Sequence, residues 1–208
     1  MRLSLIIGIS SLITILPFAS NLDAANILYP SSKSSSEFTQ TNIIYLADNW
    51  YNYKAKDGSY TIYFPQKPQE ENLSLNTPLG KLNALFVFYQ YPEEKRIFYV
   101  SHVKYPVEPS QYNVEKGLDG ARDGAAQNTN SIIVSEKRIS YKGFPGREII
   151  FQSRERPDLK TLARIYIDPN GPILYTLQVI AEDGNLDFPE AKAFLDSFVV
   201  LEGVGNIQ

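Results

Sequence analysis

His102 is the only histidine of the chain, and it follows Ser101 directly. A serine beside a histidine invites a nucleophile–base reading, but the surrounding residues alternate like a strand. Adjacent side chains of a strand point to opposite faces, so the two cannot pair with each other. A serine from elsewhere could still meet the ring; a surface or hydrogen-bonded histidine is the plainer expectation. Cysteine is absent altogether, which removes thiol catalysis, thiolate metal sites and a lipoprotein anchor. With one imidazole, histidine-rich zinc sites and two-histidine mechanisms are excluded as well. No catalytic residue and no cofactor is assigned, and the chain is expected not to be an enzyme. A hydrolase using His102 or carboxylates is the weakest reading.

Two acidic groupings could hold a cation. Asp183-Gly184-Asn185-Leu186-Asp187 has the alternating oxygen donors that open a calcium loop. A loop of the hand type would also need glycine at 188 and glutamate at 194, where the chain has Phe188 and Phe194. Glu115, Asp119 and Asp123 recur at every fourth position of a helical pattern, with Lys116 and Arg122 close enough to neutralise them. A solvated helix face explains that row, and no metal ligand is assigned. Arg147 and Arg164 lie in two separate strand patterns. On one covered sheet face they would hold a carboxylate or another anion; ion pairing with Glu148, Asp168 or a helix carboxylate is the commoner use. Finally, Tyr45, Trp50, Tyr51, Tyr53, Tyr60 and Tyr63 crowd the start of the domain. Aromatic side chains bury much area at low entropic cost and are enriched at interfaces, though they could equally cap a sheet edge. Trp50, Tyr51, Tyr53, Arg147 and Arg164 are therefore the partner-binding candidates.

The elements that must position these groups can be read in order. Residues 1–25 have the layout of a secretory signal: Arg2, an apolar run, Pro17, then small residues. An uncleaved N-terminal anchor is the alternative, although the run is short and broken by Gly8, Ser10, Ser11 and Thr14 for a span. Residues 26–48, with five serines around Lys33, read as a flexible linker. Residues 49–202 form one domain, and 203–208 a tail. Trp50 to Tyr53 leads into an Asp57-Gly58 hairpin turn, after which Tyr60, Ile62 and Phe64 share a face. Leu73 and Leu75 suggest a short strand; residues 81–91 and 96–104 suggest two long ones with apolar residues on both faces, as in a sheet covered on both sides. Val114, Leu118, Ala121 and Ala125 define a helix face, with Gly117, Gly120 and Gly124 on a stripe beside it that suggests close approach to the sheet. Strands open at 132–134 and follow at 143–152, 162–167 and 173–180, with Gly146 expected in a special backbone angle. A last helix carries Ala191, Phe194, Leu195 and Phe198, with Pro189 in its first turn and Asp187 and Glu190 at capping-box spacing. Eight or nine mostly antiparallel strands with two helices make the class α+β, a sheet flanked by helices.

Without residues 1–25 the chain keeps 19 basic against 22 acidic residues, a net charge of −3. That balance lacks the basic footprint of a nucleic-acid binder, and a domain of this size can bury a real core without disulfides.

Five strings in order resemble the PsbP-like superfamily of exported photosynthetic proteins, in its divergent cyanobacterial members. They are Lys56-Asp57-Gly58 with Phe64-Pro65-Gln66-Lys67-Pro68; Thr77-Pro78-Leu79-Gly80; Leu118-Asp119-Gly120-Ala121-Arg122-Asp123-Gly124; Gly143-Phe144-Pro145-Gly146-Arg147-Glu148; and Phe194-Leu195-Asp196-Ser197-Phe198. They span roughly residues 50–200. The resemblance implies an α/β/α sandwich around an antiparallel sheet. It also implies export to the periplasm or thylakoid lumen and an accessory or assembly role at a photosystem II-related membrane complex. Metal-binding members use histidine and carboxylates; with His102 alone and no motif placing it, no ligand carries over. The functional expectation is a non-enzymatic protein-binding module with no span in the mature chain. The alternative is a small-ligand or lipid carrier with a pocket between strand 81–91 and the glycine-rich helix.

Overall fold

The computed structural model describes residues 50–77, 80–91, 93 and 95–201, without the side chains of 75–77, 80 and 81. The expected signal, linker and C-terminal tail lie outside the described residues. Among the described residues, ten strands and two α-helices follow one another. In order they are β1 (Tyr51–Lys54), β2 (Tyr60–Phe64), β3 (Gln69–Thr77), β4 (Gly80–Tyr91), β5 (Arg96–Lys104), α1 (Val114–Asn128), β6 (Ser131–Tyr141), β7 (Phe144–Ser153), β8 (Lys160–Asp168), β9 (Ile173–Ala181), α2 (Pro189–Asp196) and β10 (Val199–Val200). Seven strands form one sheet in the order β3-β4-β5-β9-β8-β7-β6, and three form a small sheet, β1-β2-β10. Every neighbouring pair is antiparallel. The small sheet and its two-residue strand β10 were not legible as a separate unit.

The alternation of apolar residues assigns the two faces of the large sheet. Leu82, Ala84, Phe86 and Phe88 of β4 pack with Tyr99 and Val103 of β5 and with Leu118, Ala121 and Ala125 of α1. On the other face Val87, Phe98, Val100, Tyr175, Leu177 and Val179 meet Tyr60, Ile62 and Phe64 of the small sheet and Phe194 and Leu195 of α2. The class is α+β, as the sequence implies. The second outer layer is not a helix alone, however: α2 shares it with the three-stranded sheet.

Local chemistry fixes the joints. Gly58 adopts a φ of 73°, and its N–H reaches Ala55 O at 2.8 Å, closing the β1–β2 hairpin where Asp57-Gly58 calls for it. Asn113 caps α1, its side chain accepting from Lys116 N at 3.0 Å. The β6–β7 turn places Lys142 at φ 47° and Gly143 at φ 86°. Two successive left-handed residues are what a tight hairpin needs, so the special backbone angle sits there and not at Gly146. Gly146 is required for room: a Cβ would overlap the backbone oxygen of Ile165 and the Tyr166 ring. Gly117 likewise makes room for the Tyr112 ring and Ile167, so its neighbour is a loop tyrosine as well as the sheet. The expected capping box is absent. Phe188 is the N-cap residue of α2 and makes no side-chain cap, with Pro189 starting the helix.

Candidate functional site

The hairpin turn of the small sheet brings Asp57 against β5. His102 Nε2 lies 2.9 Å from Asp57 Oδ2, while Asp57 Oδ1 accepts from Ser59 N at 3.0 Å and Ser59 Oγ at 2.7 Å. With Asp57 ionised, Nε2 carries the donated proton, and Nδ1 is the ring's other nitrogen. Nδ1 is buried and has no partner within the protein. Burial would raise the Asp57 pKa; the two Ser59 hydrogen bonds and His102 outweigh it and hold the carboxyl below its ordinary range. The imidazole sits edge-on to Tyr60 and stacked on Tyr175, at ring centroid distances of 5.5 and 6.2 Å. Ser59 bonds to the carboxylate and not to the ring, and Ser101 is buried on the other face of β5. The cluster therefore ties the small sheet to the large one, and its serine is not placed to give its proton to the imidazole.

The two arginines part company. Register sets Arg147 opposite Ile165 and Glu148 opposite Arg164, so Arg147 and Arg164 occupy opposite faces of the sheet. That one-residue offset rules out a shared anion site, the lesser of the two readings, and both arginines make the ion pairs that were the commoner expectation. Arg147, on the α1 side, meets Glu115 Oε2 at 2.5 Å and Glu136 Oε1 at 3.0 Å, with Asp119 at 3.8 Å. Arg122 joins the same network through Asp119, Asp123 and Glu136, and Arg138 reaches Glu115 at 3.1 Å. The carboxylate row of α1 is thus spent on three guanidinium groups. Arg164, on the α2 side, bonds to Glu148 and Asp196, both at 2.6 Å. Burial would raise both carboxyl groups; hydrogen bonds from Lys137 and Arg164 to Glu148, and from Lys192 and Arg164 to Asp196, bring them below the ordinary range.

The loop at 183–187 is also spoken for. Arg96, itself buried, grips Asp183 with both terminal nitrogens at 2.5 and 2.8 Å and lies over the Phe188 ring at 4.7 Å. Hydrogen bonds from Arg96 and the Asn185 N–H lower the Asp183 pKa to about 2. The oxygens that could open a calcium loop serve a bidentate clamp and two Asx turns instead. Among the described residues no group of three or more acidic or histidine side chains is disposed to hold a metal ion.

Of the aromatic candidates, Tyr53 and Tyr60 belong to the core. Tyr53 donates to Glu70 Oε1 at 3.1 Å, and burial together with that carboxylate pushes its pKa up. Trp50 packs edge-on against Phe98, at 6.2 Å. Tyr51 is the one of the three named aromatics that is exposed. A contact surface made of Trp50, Tyr51 and Tyr53 together does not exist, because alternation turns Tyr53 inward with Ile62.

Exposure gathers elsewhere. Ile132, Ile133 and Val134 are 40, 39 and 51% exposed and consecutive on β6, the terminal strand of the large sheet. The β6–β7 register shifts between Ile133 and Ser135, which makes Val134 the bulged residue. The sequence showed the apolar run but not that its strand would be an edge.

No protein-family model matches the chain, and no curated protein does. Among solved structures, the solution structure of cyanobacterial PsbP (CyanoP) from Synechocystis sp. PCC 6803 is similar to it, at 12% identity and a TM-score of 0.46. The likeness covers 74% of this chain and 93% of that one. It is too distant to assign a family or a role.

Proposed function

We propose that this domain is an exported, non-enzymatic protein-binding module that meets its partner along β6. The observation that carries the reading is the run Ile132-Ile133-Val134, exposed on β6, which among the described residues has a neighbouring strand on one side only. A free edge offers unpaired backbone N–H and C=O groups, and a strand from a partner can satisfy them while covering the aliphatic side chains. The polar groups elsewhere support the same division of labour: Arg96, Arg122, Arg147, Arg164 and His102 all have carboxylate partners within the chain. Among the described residues no helix is long and apolar enough to cross a membrane. The partner class is a photosynthetic membrane complex related to photosystem II, in the periplasm or the thylakoid lumen, as the sequence resemblance implies.

The test is affinity isolation of the tagged full chain from gently solubilised membranes of its own host, with mass spectrometry of what is recovered. The expected result is one stoichiometric complex, lost with the double substitution Ile133→Lys, Val134→Lys and kept with Tyr51→Ala. Recovery unaffected by the β6 substitutions, or no complex at all, overturns the proposal.

A further inference from the structure

Every residue of β6 from Ile132 to Arg138 is exposed, so the usual alternation of covered and open positions is lost over that stretch. Among the described residues the strand has a neighbour on one side only, β7. Its character changes along its length: Ile132, Ile133 and Val134 are aliphatic, Ser135 is neutral, and Glu136, Lys137 and Arg138 are charged. Register puts Lys137 opposite Glu148 and Arg138 opposite Arg147. The two cations therefore stand on opposite faces, Lys137 on the α2 side and Arg138 on the α1 side.

The three charges are not equally engaged. The Glu136 side chain is 26% exposed and receives two guanidinium groups, from Arg122 and Arg147. The side chains of Lys137 and Arg138 are 66 and 74% exposed, and each reaches a carboxylate that a deeper arginine also holds. Glu148 meets Lys137 at 2.8 Å and Arg164 at 2.6 Å. Glu115 meets Arg138 at 3.1 Å and Arg147 at 2.5 Å. Neither outer cation has a carboxylate to itself, and both keep N–H groups to give, three on an ammonium and five on a guanidinium. The charge that β6 turns to solvent is positive, in a chain whose net charge is −3.

We propose that the strand received by β6 runs antiparallel to it and reads, from its N-terminal end, two adjacent acidic residues, two uncharged ones and a short aliphatic run. The proposal rests on the reading of β6 as the contact strand and names the chemistry of its partner. Adjacent residues of a strand point to opposite faces, so one acidic pair gives a carboxylate to Arg138 and another to Lys137. The next position lies opposite Glu136, where a third acid would be repelled, so the acidic stretch ends at two. The aliphatic residues beyond cover Ile133 and Ile132. Antiparallel is the direction of every pair in this sheet, and it is the more stable pairing per residue.

Three blocked heptapeptides, titrated into the isotope-labelled full chain, test the order and the charge: Glu-Glu-Thr-Ser-Val-Ile-Val, its Gln-Gln counterpart, and the reversed Val-Ile-Val-Ser-Thr-Glu-Glu. The first is expected to shift the backbone amides of β6 saturably. The Gln-Gln peptide should bind about 10-fold more weakly, the worth of two solvated ion pairs. The reversed peptide, identical in composition, should also bind more weakly than the first. Lys137→Gln with Arg138→Gln is expected to remove the difference between the Glu-Glu and Gln-Gln peptides. Equal binding of those two to the unchanged chain, or a difference that survives in the variant, overturns the acidic partner and leaves β6 as the contact strand. A reversed peptide that binds as well as the first overturns the antiparallel order. No saturable shift on β6 from any of the three removes both this proposal and the contact strand on which it rests.

Discussion

Strand β3 closes one edge of the large sheet with Gln69, Glu70, Glu71, Asn72 and Ser74, whereas β6 closes the other with Ile132, Ile133 and Val134 exposed. Both edges are tied down by a glutamate. On β3, Glu70 receives the Tyr53 hydroxyl and the Lys56 ammonium. On β6, Glu136 receives Arg122 and Arg147, each at 3.0 Å. Anchoring is common to the two edges, so what separates them is the chemistry they show to solvent. Charged and polar residues defend a free edge against pairing with other chains, and β3 follows that rule over the stretch where β6 sets it aside. The bulge at Val134 bends the ladder, yet the aliphatic run remains in solvent.

The comparison can be broken first at its anchors. Arg147→Ala leaves Glu115 and Glu136 facing a buried vacancy, and a stability loss of about 3 kcal/mol in urea unfolding is expected. That is the low end for a broken buried pair, since both carboxylates keep some access to water. Lys56→Ala at the β3 anchor should cost under about 1 kcal/mol, because the ammonium is largely solvated. Equal losses at the two would remove the distinction between a buried and a solvated anchor. Next in size is Gly146→Ala, whose Cβ has no room against β8; a cost of about 2 kcal/mol is expected, with β6–β7 amide exchange speeding up.

A third prediction concerns pH. Glu148 and Asp196 flank Arg164 with folded-state pKa values below their ordinary ones. Their contribution to stability is complete above the ordinary carboxylate range of about 4 and is lost as pH falls through the lowered values. Asp57 acts in the same direction through Ser59 and His102. Tm should therefore fall on acidification below about pH 4, and less steeply in Arg164→Met, which lacks the guanidinium that holds two of these groups down. An unchanged slope in that variant would contradict the assignment. The smallest effect on stability should come from Ile133→Lys with Val134→Lys, within about 0.5 kcal/mol per exposed site, while partner capture is lost.

Much of the fold was legible because periodicity reports local geometry directly. Tyr60, Ile62 and Phe64, the two faces of β4 and the α1 stripe ending at Ala125 all pack as their spacing implies. The turn at Asp57-Gly58 was readable for the same reason. What failed depended on register and partners. Whether Arg147 and Arg164 share a face was not decided by their strand patterns, and pairing of Glu148 with Arg164 separates them. A special backbone angle was expected at Gly146 and is taken by Lys142 and Gly143 instead, because sequence marks a turn more sharply than its centre. Tyr53 looked like a contact residue until alternation with Ile62 turned it into the core. Edge position is the least legible property of all: nothing local to Ile132-Ile133-Val134 says that, among the described residues, no strand lies beyond them.

The most direct test of the β6 account is site-specific photo-crosslinking in the native host, with a photoreactive residue at position 133 in one strain and at position 71 on β3 in another. The account predicts a discrete adduct to one protein from position 133 and none from 71. Adducts from both edges alike, or from neither, would contradict it.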